Sequence, residues 1–257
     1  MKNHLGINNI CTICLFMFFI IKSLSSFCQD VGEVEFSVVT AKEWEIEAFL
    51  NTSGGGAGFQ YGWTPNYYNK HFWEINFLYN KHPKAVRATS SLQGYSSSSY
   101  SFGKLYDLFF LRGGYGYQRI LHHKPYWGGV EIRYTFSGGF SLGMGMPVYL
   151  RVVDDEKVIK VERYDPDVHT VYDIIGRAGF FKGFSKMAIR PGFYAKTGLR
   201  FDFSKKEFFM HVIEVGVTID MIFPFIQQMA FIKAKPLYFS AYVAYHFGKK
   251  KTIIKID

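Results

Sequence analysis

The sequence predicts an all-β chain: a transmembrane antiparallel up-and-down β-barrel of about 8 strands, with 10 possible, and long extracellular loops. Three observations carry the prediction. Segments in which every second residue is apolar recur along the chain, the period-2 signature of strands with two unlike faces. Aromatic residues make up 19% of the 257 residues, with 27 Phe and 18 Tyr, while charged residues make up only 20%. Beyond residue 29 no apolar run approaches the roughly 20 residues that a membrane-crossing helix needs. In a barrel that crosses a bilayer, the lipid-facing side of each strand must be apolar and the inner side is free to be polar. Closure leaves no unpaired edge in hydrocarbon.

The strands read in order as follows. The first, about 44–51, sets Trp44, Ile46, Ala48 and Leu50 against Glu45, Glu47 and Asn51. The second, about 56–64, sets Phe59, Tyr61 and Trp63 against Gly58, Gln60 and Gly62. In the third, about 71–80, Trp73, Ile75, Phe77 and Tyr79 oppose Glu74 and Asn76. The fourth, about 105–118, alternates less cleanly, with Phe109, Leu111, Tyr115 and Tyr117 against Arg112, Gly114, Gly116 and Gln118. A fifth begins near Trp127, with Val130, Ile132, Tyr134 and Phe136 toward lipid, Ile132 near mid-membrane, and Glu131, Arg133, Thr135 and Ser137 toward the lumen. Its parity continues through Phe140, Leu142 and Met144. Either one long strand or a hairpin at Ser137-Gly138-Gly139 preserves that parity, and the hairpin would raise the count to ten. The sixth, about 193–203, sets Phe193, Ala195, Leu199, Phe201 and Phe203 against Tyr194, Lys196, Arg200 and Asp202. In the seventh, about 209–221, Ile213, Val215, Val217 and Ile219 oppose Glu214, Gly216, Thr218 and Asp220. The eighth, about 237–247, points Leu237, Phe239, Ala241, Val243, Tyr245 and Phe247 outward and Ser240, Tyr242 and His246 inward. A soluble barrel would reverse this dress, polar outside and apolar inside.

Residues 1–28 read as a signal peptide, leaving 29–257 as the outer-membrane barrel domain. Lys2 supplies the positive start, Ile10 to Ile21 (ICTICLFMFFII) the apolar stretch, and Ser23, Ser25 and Ser26 the small-residue region. Ser26 and Cys28 at −3 and −1 place cleavage before Gln29. A membrane anchor or a lipoprotein are the alternatives, the latter opposed by Phe27 before Cys28. Cleavage removes Cys11, Cys14 and Cys28, leaving no thiol to mispair in an oxidising compartment. It also removes Lys2 and Lys22, lowering the formal charge of +9 by two. The C-terminal GKKKTIIK cluster supplies much of the remainder, and nucleic acid is a poor partner for an exported chain. The expected location is the outer membrane, reached through Sec export.

With an even strand number both termini lie on the periplasmic side. The turns at Pro65–Lys70, Leu121–Pro125 and Ser204–Lys206 are then periplasmic and short. The connections at Ser53–Gly55, Lys81–Lys104, about Pro147–Arg190 and Ile222–Pro236 are extracellular, three of them long. This topology gathers Trp44, Trp63, Trp73 and Trp127 at the periplasmic boundary, where the amphipathic indole ring belongs.

The stretches HFWEINFLYNKHPK (71–84), GYGYQRILHHKPYWGGVEIRY (114–134), SGGFSLGMGMPVYL (137–150), PGFYAKTGLRFDFS (191–204) and YHFGKK (245–250) are spread along the mature chain. In them the sequence resembles outer-membrane β-barrel proteins of Bacteroidota that lack an assigned activity. The resemblance implies fold and location, and carries no catalytic residues.

Chemistry-bearing constellations are sparse. Asp165, Asp167, His169 and Asp173 lie close together in the longest outer loop but lack EF-hand spacing, and read as solvated loop residues. Residues 173–187 have apolar positions near helical spacing but three glycines, so a short interfacial helix and irregular loop are both compatible. GGGAG (54–58) lacks the Lys and following helix of a phosphate loop. No Ser-His-Asp set, cofactor motif or metal motif is evident. The segment 221–235 (MIFPFIQQMAFIKAK) is too apolar for a free loop: either it contacts a partner through Phe223, Phe225, Ile226 and Phe231, or it is buried beneath the 147–190 loop. Glu131, Arg133, Lys196, Arg200, Asp202 and Glu214 face the lumen and should pair there. The sequence therefore points to a non-enzymatic barrel serving as a structural or accessory subunit of an outer-membrane complex. A small diffusion channel is the second reading and an outer-membrane enzyme the third.

Overall fold

The computed structural model describes residues 39–66, 68–89, 99–123, 129–153, 158–166, 168, 173–204, 209–233 and 236–254. The segment read as a signal peptide, its cleavage point, and Trp127 lie outside the described residues. In chain order the strands are β1 (Val39–Asn51), β2 (Gly54–Asn66), β3 (Asn69–Asn80), β4 (Arg87–Ala88), β5 (Tyr100–Ser101), β6 (Tyr106–His122), β7 (Glu131–Pro147), β8 (Tyr149–Val153), β9 (Ile159–Arg163), β10 (Ile174–Arg177), β11 (Ala188–Asp202), β12 (Phe209–Ile222) and β13 (Leu237–Ile254). A 3-10 helix over Phe180–Lys186 precedes β11.

Eight of these strands close a barrel in the order β1-β13-β12-β11-β7-β6-β3-β2, every neighbour antiparallel. Among the described residues no helix is long and apolar enough to cross a membrane. The barrel exterior is apolar instead: Ile46, Phe59, Ile75, Phe77, Phe136, Phe140, Phe193, Val215, Phe239 and Val243 are all exposed. The interior is polar, with Glu45, Glu47, Glu74, Arg112, Lys196, Arg200 and Glu214 buried. A barrel in water would be dressed the other way, so this one is built to sit in a bilayer. From Leu237 to Phe247 the outward row of β13 runs ten residue steps. At about 3.3 Å per step and a tilt of roughly 40° this covers about 25 Å of membrane depth, the height of the apolar band of such barrels.

The strand β7 is continuous through Ser137-Gly138-Gly139, which removes the ten-stranded alternative. The glycines serve close approach rather than a turn. Gly139 faces Gly114 on β6, and a Cβ on Gly139 would lie 2.3 Å from the Gly113 carbonyl oxygen. The length of β7 also corrects the depth of Ile132. It is the second residue of a strand that starts at the termini end of the barrel, so it lies near that boundary, while Phe136 and Phe140 flank the middle of the outward row. The tight connection Thr52–Ser53 ends on Gly54, whose φ of 155° and approach to the Tyr79 carbonyl, 2.0 Å from a built Cβ, leave room only for glycine.

The end of the barrel opposite the termini carries a lobe. Strands β8, β9 and β10 form a three-stranded sheet in the order β10-β8-β9, and β4 pairs with β5. The residues 173–187 therefore form strand β10 and the 3-10 helix, not an amphipathic α-helix; glycines 176, 179 and 183 break the helical run. Tyr100, Val148, Leu150, Val152, Tyr164 and Ile174 form the apolar centre of the lobe.

A filled lumen beneath an apolar rim

The lumen is occupied from one end to the other. At the termini end Lys70 lies 2.5 Å from both Glu43 and Glu45, and Lys250 lies 3.3 Å from Glu43. Glu131 and Arg133 pair with each other along β7. Asp202 is half-buried and accepts the backbone N–H of Ser204 at 2.8 Å. Farther in, Arg200 binds Glu45, donates to Gln60 Oε1 at 3.1 Å and lies 3.7 Å from Glu214. Lys196 reaches Glu47 and Glu214 at 3.2 Å and Glu74 at 3.7 Å. Both ring nitrogens of His246 face carboxylates: Glu45 at 3.3 Å, Glu47 at 3.4 Å and Glu214 at 3.0 Å. Tyr194 donates to Glu74 at 2.7 Å, and Tyr242 donates to Glu214. Above this, Arg112 grips Asp220 with two hydrogen bonds, at 2.7 and 2.5 Å.

The lumen then turns apolar. Phe49, Leu78, Leu108, Phe110, Ile222 and Ile226 pack across the barrel toward the lobe, with Tyr242 and Ala244 below them. Inward glycines make space for the large side chains. A Cβ on Gly58 would lie 1.8 Å from Asn76 Oδ1, one on Gly62 2.4 Å from Lys70 Cε, and one on Gly116 2.1 Å from the Phe72 ring. Taking charges out of water is expensive, and a dense network of opposite charges and hydroxyl donors is the arrangement that offsets the cost.

Of the lumenal residues singled out from sequence, Glu131, Arg133 and Asp202 sit near the termini end, and Lys196, Arg200 and Glu214 belong to the central network. Glu43, Gln60, Lys70, Tyr194, Tyr242 and His246 complete it. The alternation of β1 and β3 reaches Glu43 and Lys70 once those strands are extended one residue past Trp44 and His71.

The rim segment 223–233 docks on the stretch before β6, and its Ala230 also packs on the apolar cluster that Val148, Leu150, Val152, Tyr164 and Ile174 of the 147–190 region contribute to. Leu105 N–H donates to Gln228 O at 2.9 Å, Ala230 N–H to Gly103 O at 2.8 Å, and Phe231 stacks on Phe102. Ile226 is not available for a partner: it is 5% exposed and anchors the segment in the apolar layer of the lumen. Phe223, Phe225 and Phe231 are 59%, 42% and 71% exposed, and the Phe223 and Phe225 rings meet edge to face at 4.7 Å. Trp44 and Trp73 are exposed on the outer wall, and Trp63 stacks on His71. Trp44, Tyr61, Trp73 and Tyr115 lie opposite one another across β1, β2, β3 and β6. Among the described residues no group of His, Cys, Asp and Glu is placed to hold a metal ion; Asp167 and His169 of the acidic loop set lie outside them.

Fold and interior together define a small, filled, membrane-type β-barrel. No family model matches the chain, and no curated protein matches it. Among solved structures it is similar to Neisserial surface protein A (9% identity, 82% of this chain, 95% of that one, TM-score 0.34). It is also similar to Ail, the attachment invasion locus protein of Yersinia pestis (8% identity, 84% and 100%, TM-score 0.38). A third likeness is to the N-terminal β-barrel domain of Pseudomonas aeruginosa OprF (9% identity, 82% and 99%, TM-score 0.36). Likenesses at this level bear on neither activity nor partners.

Proposed function

We propose that the chain is a non-enzymatic outer-membrane barrel, exported through the Sec pathway, that serves as a structural or accessory subunit by docking a protein partner at its outer rim. The observation that carries the reading is the rim itself: Phe223, Phe225 and Phe231 stand exposed on a segment held in place by buried Ile226 and by backbone bonds to Gly103 and Leu105. A free loop seldom keeps three exposed phenylalanines, and a rigidly held set binds with less ordering cost than a mobile one. The filled lumen supports docking over conduction, because an ion would have to displace paired charges and then cross an apolar layer.

Two measurements test it. Purified barrel in planar bilayers should give no single-channel steps; reproducible steps, lost when Lys196 and Glu214 are changed, would replace docking by the channel reading. Gentle detergent extraction should bring down a partner of fixed stoichiometry, lost in the Phe223→Ser/Phe225→Ser double variant while the barrel stays folded. Unchanged recovery of that partner from the double variant would remove the rim from the interface. Membrane fractionation on a density gradient checks the location, and N-terminal sequencing of the membrane form checks cleavage before Gln29.

A further inference from the structure

Two of the three lysines at the end of β13 serve neither the lumen nor the rim. Lys250 turns inward to Glu43, whereas Lys249 and Lys251 point outward and are exposed, as is Lys42 on β1. Register makes these three one patch. Lys42 lies opposite Lys251 across the β1–β13 seam, and Trp44 lies opposite Lys249. On the flanks Tyr61 pairs with Trp44, and Phe209 with Lys249, whose ammonium sits 5.4 Å from the Phe209 ring centre. Together they line a crevice of about 510 Å³ on the outer wall. The acid that also borders it, Glu43, is buried and engaged by Lys70 and Lys250. Like charges placed directly opposite across a sheet repel one another, so the pair Lys42–Lys251 stabilises nothing by itself and calls for an anion.

Depth says which anion. On the outward row of β13 the unbroken apolar run from Leu237 ends at Phe247, and the next two residues on that face are Lys249 and Lys251. The patch therefore lies where hydrocarbon gives way to headgroups, at the termini end of the barrel. We propose that the β1–β13 seam binds the phosphate of an anionic glycerophospholipid in the leaflet nearer the chain termini. The ammonium groups of Lys42, Lys249 and Lys251 hold the phosphodiester, and the rings of Trp44, Tyr61 and Phe209 flank the glycerol and upper acyl chains. This rests on the barrel being membrane-embedded, not on the partner reading.

The test uses full-length protein purified from membranes, with native mass spectrometry in detergent and equal amounts of phosphatidylglycerol or phosphatidylcholine carrying the same acyl chains. Phosphatidylglycerol should be retained more strongly, on the order of tenfold, as a cluster of lysines at an anionic surface gives. The Lys42→Gln/Lys249→Gln/Lys251→Gln variant should lose the preference and the corresponding triple Arg variant should keep it. A control at the opposite end, Lys81→Gln/Lys84→Gln/Lys182→Gln, should also keep it. Equal retention of the two lipids by the unaltered protein overturns the proposal. So does equal loss in the seam and control variants, which would reduce the effect to net charge, or displacement by millimolar inorganic phosphate, which would make the patch a free-anion site. If the Gln variant fails to fold, the wild-type comparison and the Arg variant still decide. Insertion of the unaltered protein into phosphatidylcholine vesicles, read by heat-modifiable gel mobility, tests the membrane reading separately.

Discussion

Arg200 shows how little slack the lumen holds. It binds Glu45, Gln60 and Glu214 from one fully buried position, so Arg200→Ala leaves two carboxylates short of a cation where water does not compensate. The expected loss is about 3–5 kcal/mol, measured by denaturant unfolding in micelles; a loss below about 1 kcal/mol would mean water already reaches the site. Gly116 tests the packing. A Cβ there meets the Phe72 ring at 2.1 Å, so Gly116→Ala should cost about 1–3 kcal/mol. Adding Phe72→Leu, which removes the clashing ring atom, should recover part of that cost, and strict additivity of the two changes would contradict the assigned contact. Period-2 parity alone gives the facing of Glu45, Glu47, Lys196 and Glu214. What parity cannot give is which charge reaches which across the lumen, since that depends on strand order and register. Hence the pairing of Lys70 with Glu45 and of Tyr194 with Glu74, between strands far apart in sequence, is legible only in three dimensions.

Strand β7 illustrates where pattern reading stops at the scale of an element. Ser137-Gly138-Gly139 has turn composition, and both a hairpin and a straight strand keep the parity of Tyr134, Phe136 and Phe140. The deciding fact is the neighbouring Gly113-Gly114 of β6, against which only glycine packs so closely. Strand length in turn sets depth. Phe140→Arg, beside the middle of the outward row, should cost about 2–4 kcal/mol, whereas Ile132→Arg, near the boundary, should cost about 0–1 kcal/mol. Folding yield into vesicles and unfolding midpoints check the difference; equal costs at both positions would show that the bilayer sits elsewhere on β7. The rim offers a comparable lesson. Its apolar composition is visible in sequence, but the inward turn of Ile226 follows from its place in the apolar cluster with Phe49 and Phe110, which no local pattern announces.

At the scale of the whole molecule the lumen has two barriers in series, a charged layer toward the termini and an apolar layer toward the lobe. Shaving only the apolar layer, by Phe49→Ala with Phe110→Ala, should leave planar bilayers silent because the ion pairs remain; steps in that variant would show that the charged layer is permeable. The seam that closes the barrel joins the first strand to the last, Val39 opposite Ile254. It is also where buried acids find partners: Glu43 meets the half-buried Lys250, and Glu45 and Glu47 meet the buried His246 ring. A slip of one residue between β1 and β13 would turn His246 and Lys250 toward hydrocarbon and pull Phe247 inside. During biosynthesis the closing strand is made last, after every other wall is available, and its partner has waited the longest. The acids of β1 thus single out one alignment of the closing strand, because only in that register do Lys250 and His246 arrive opposite them.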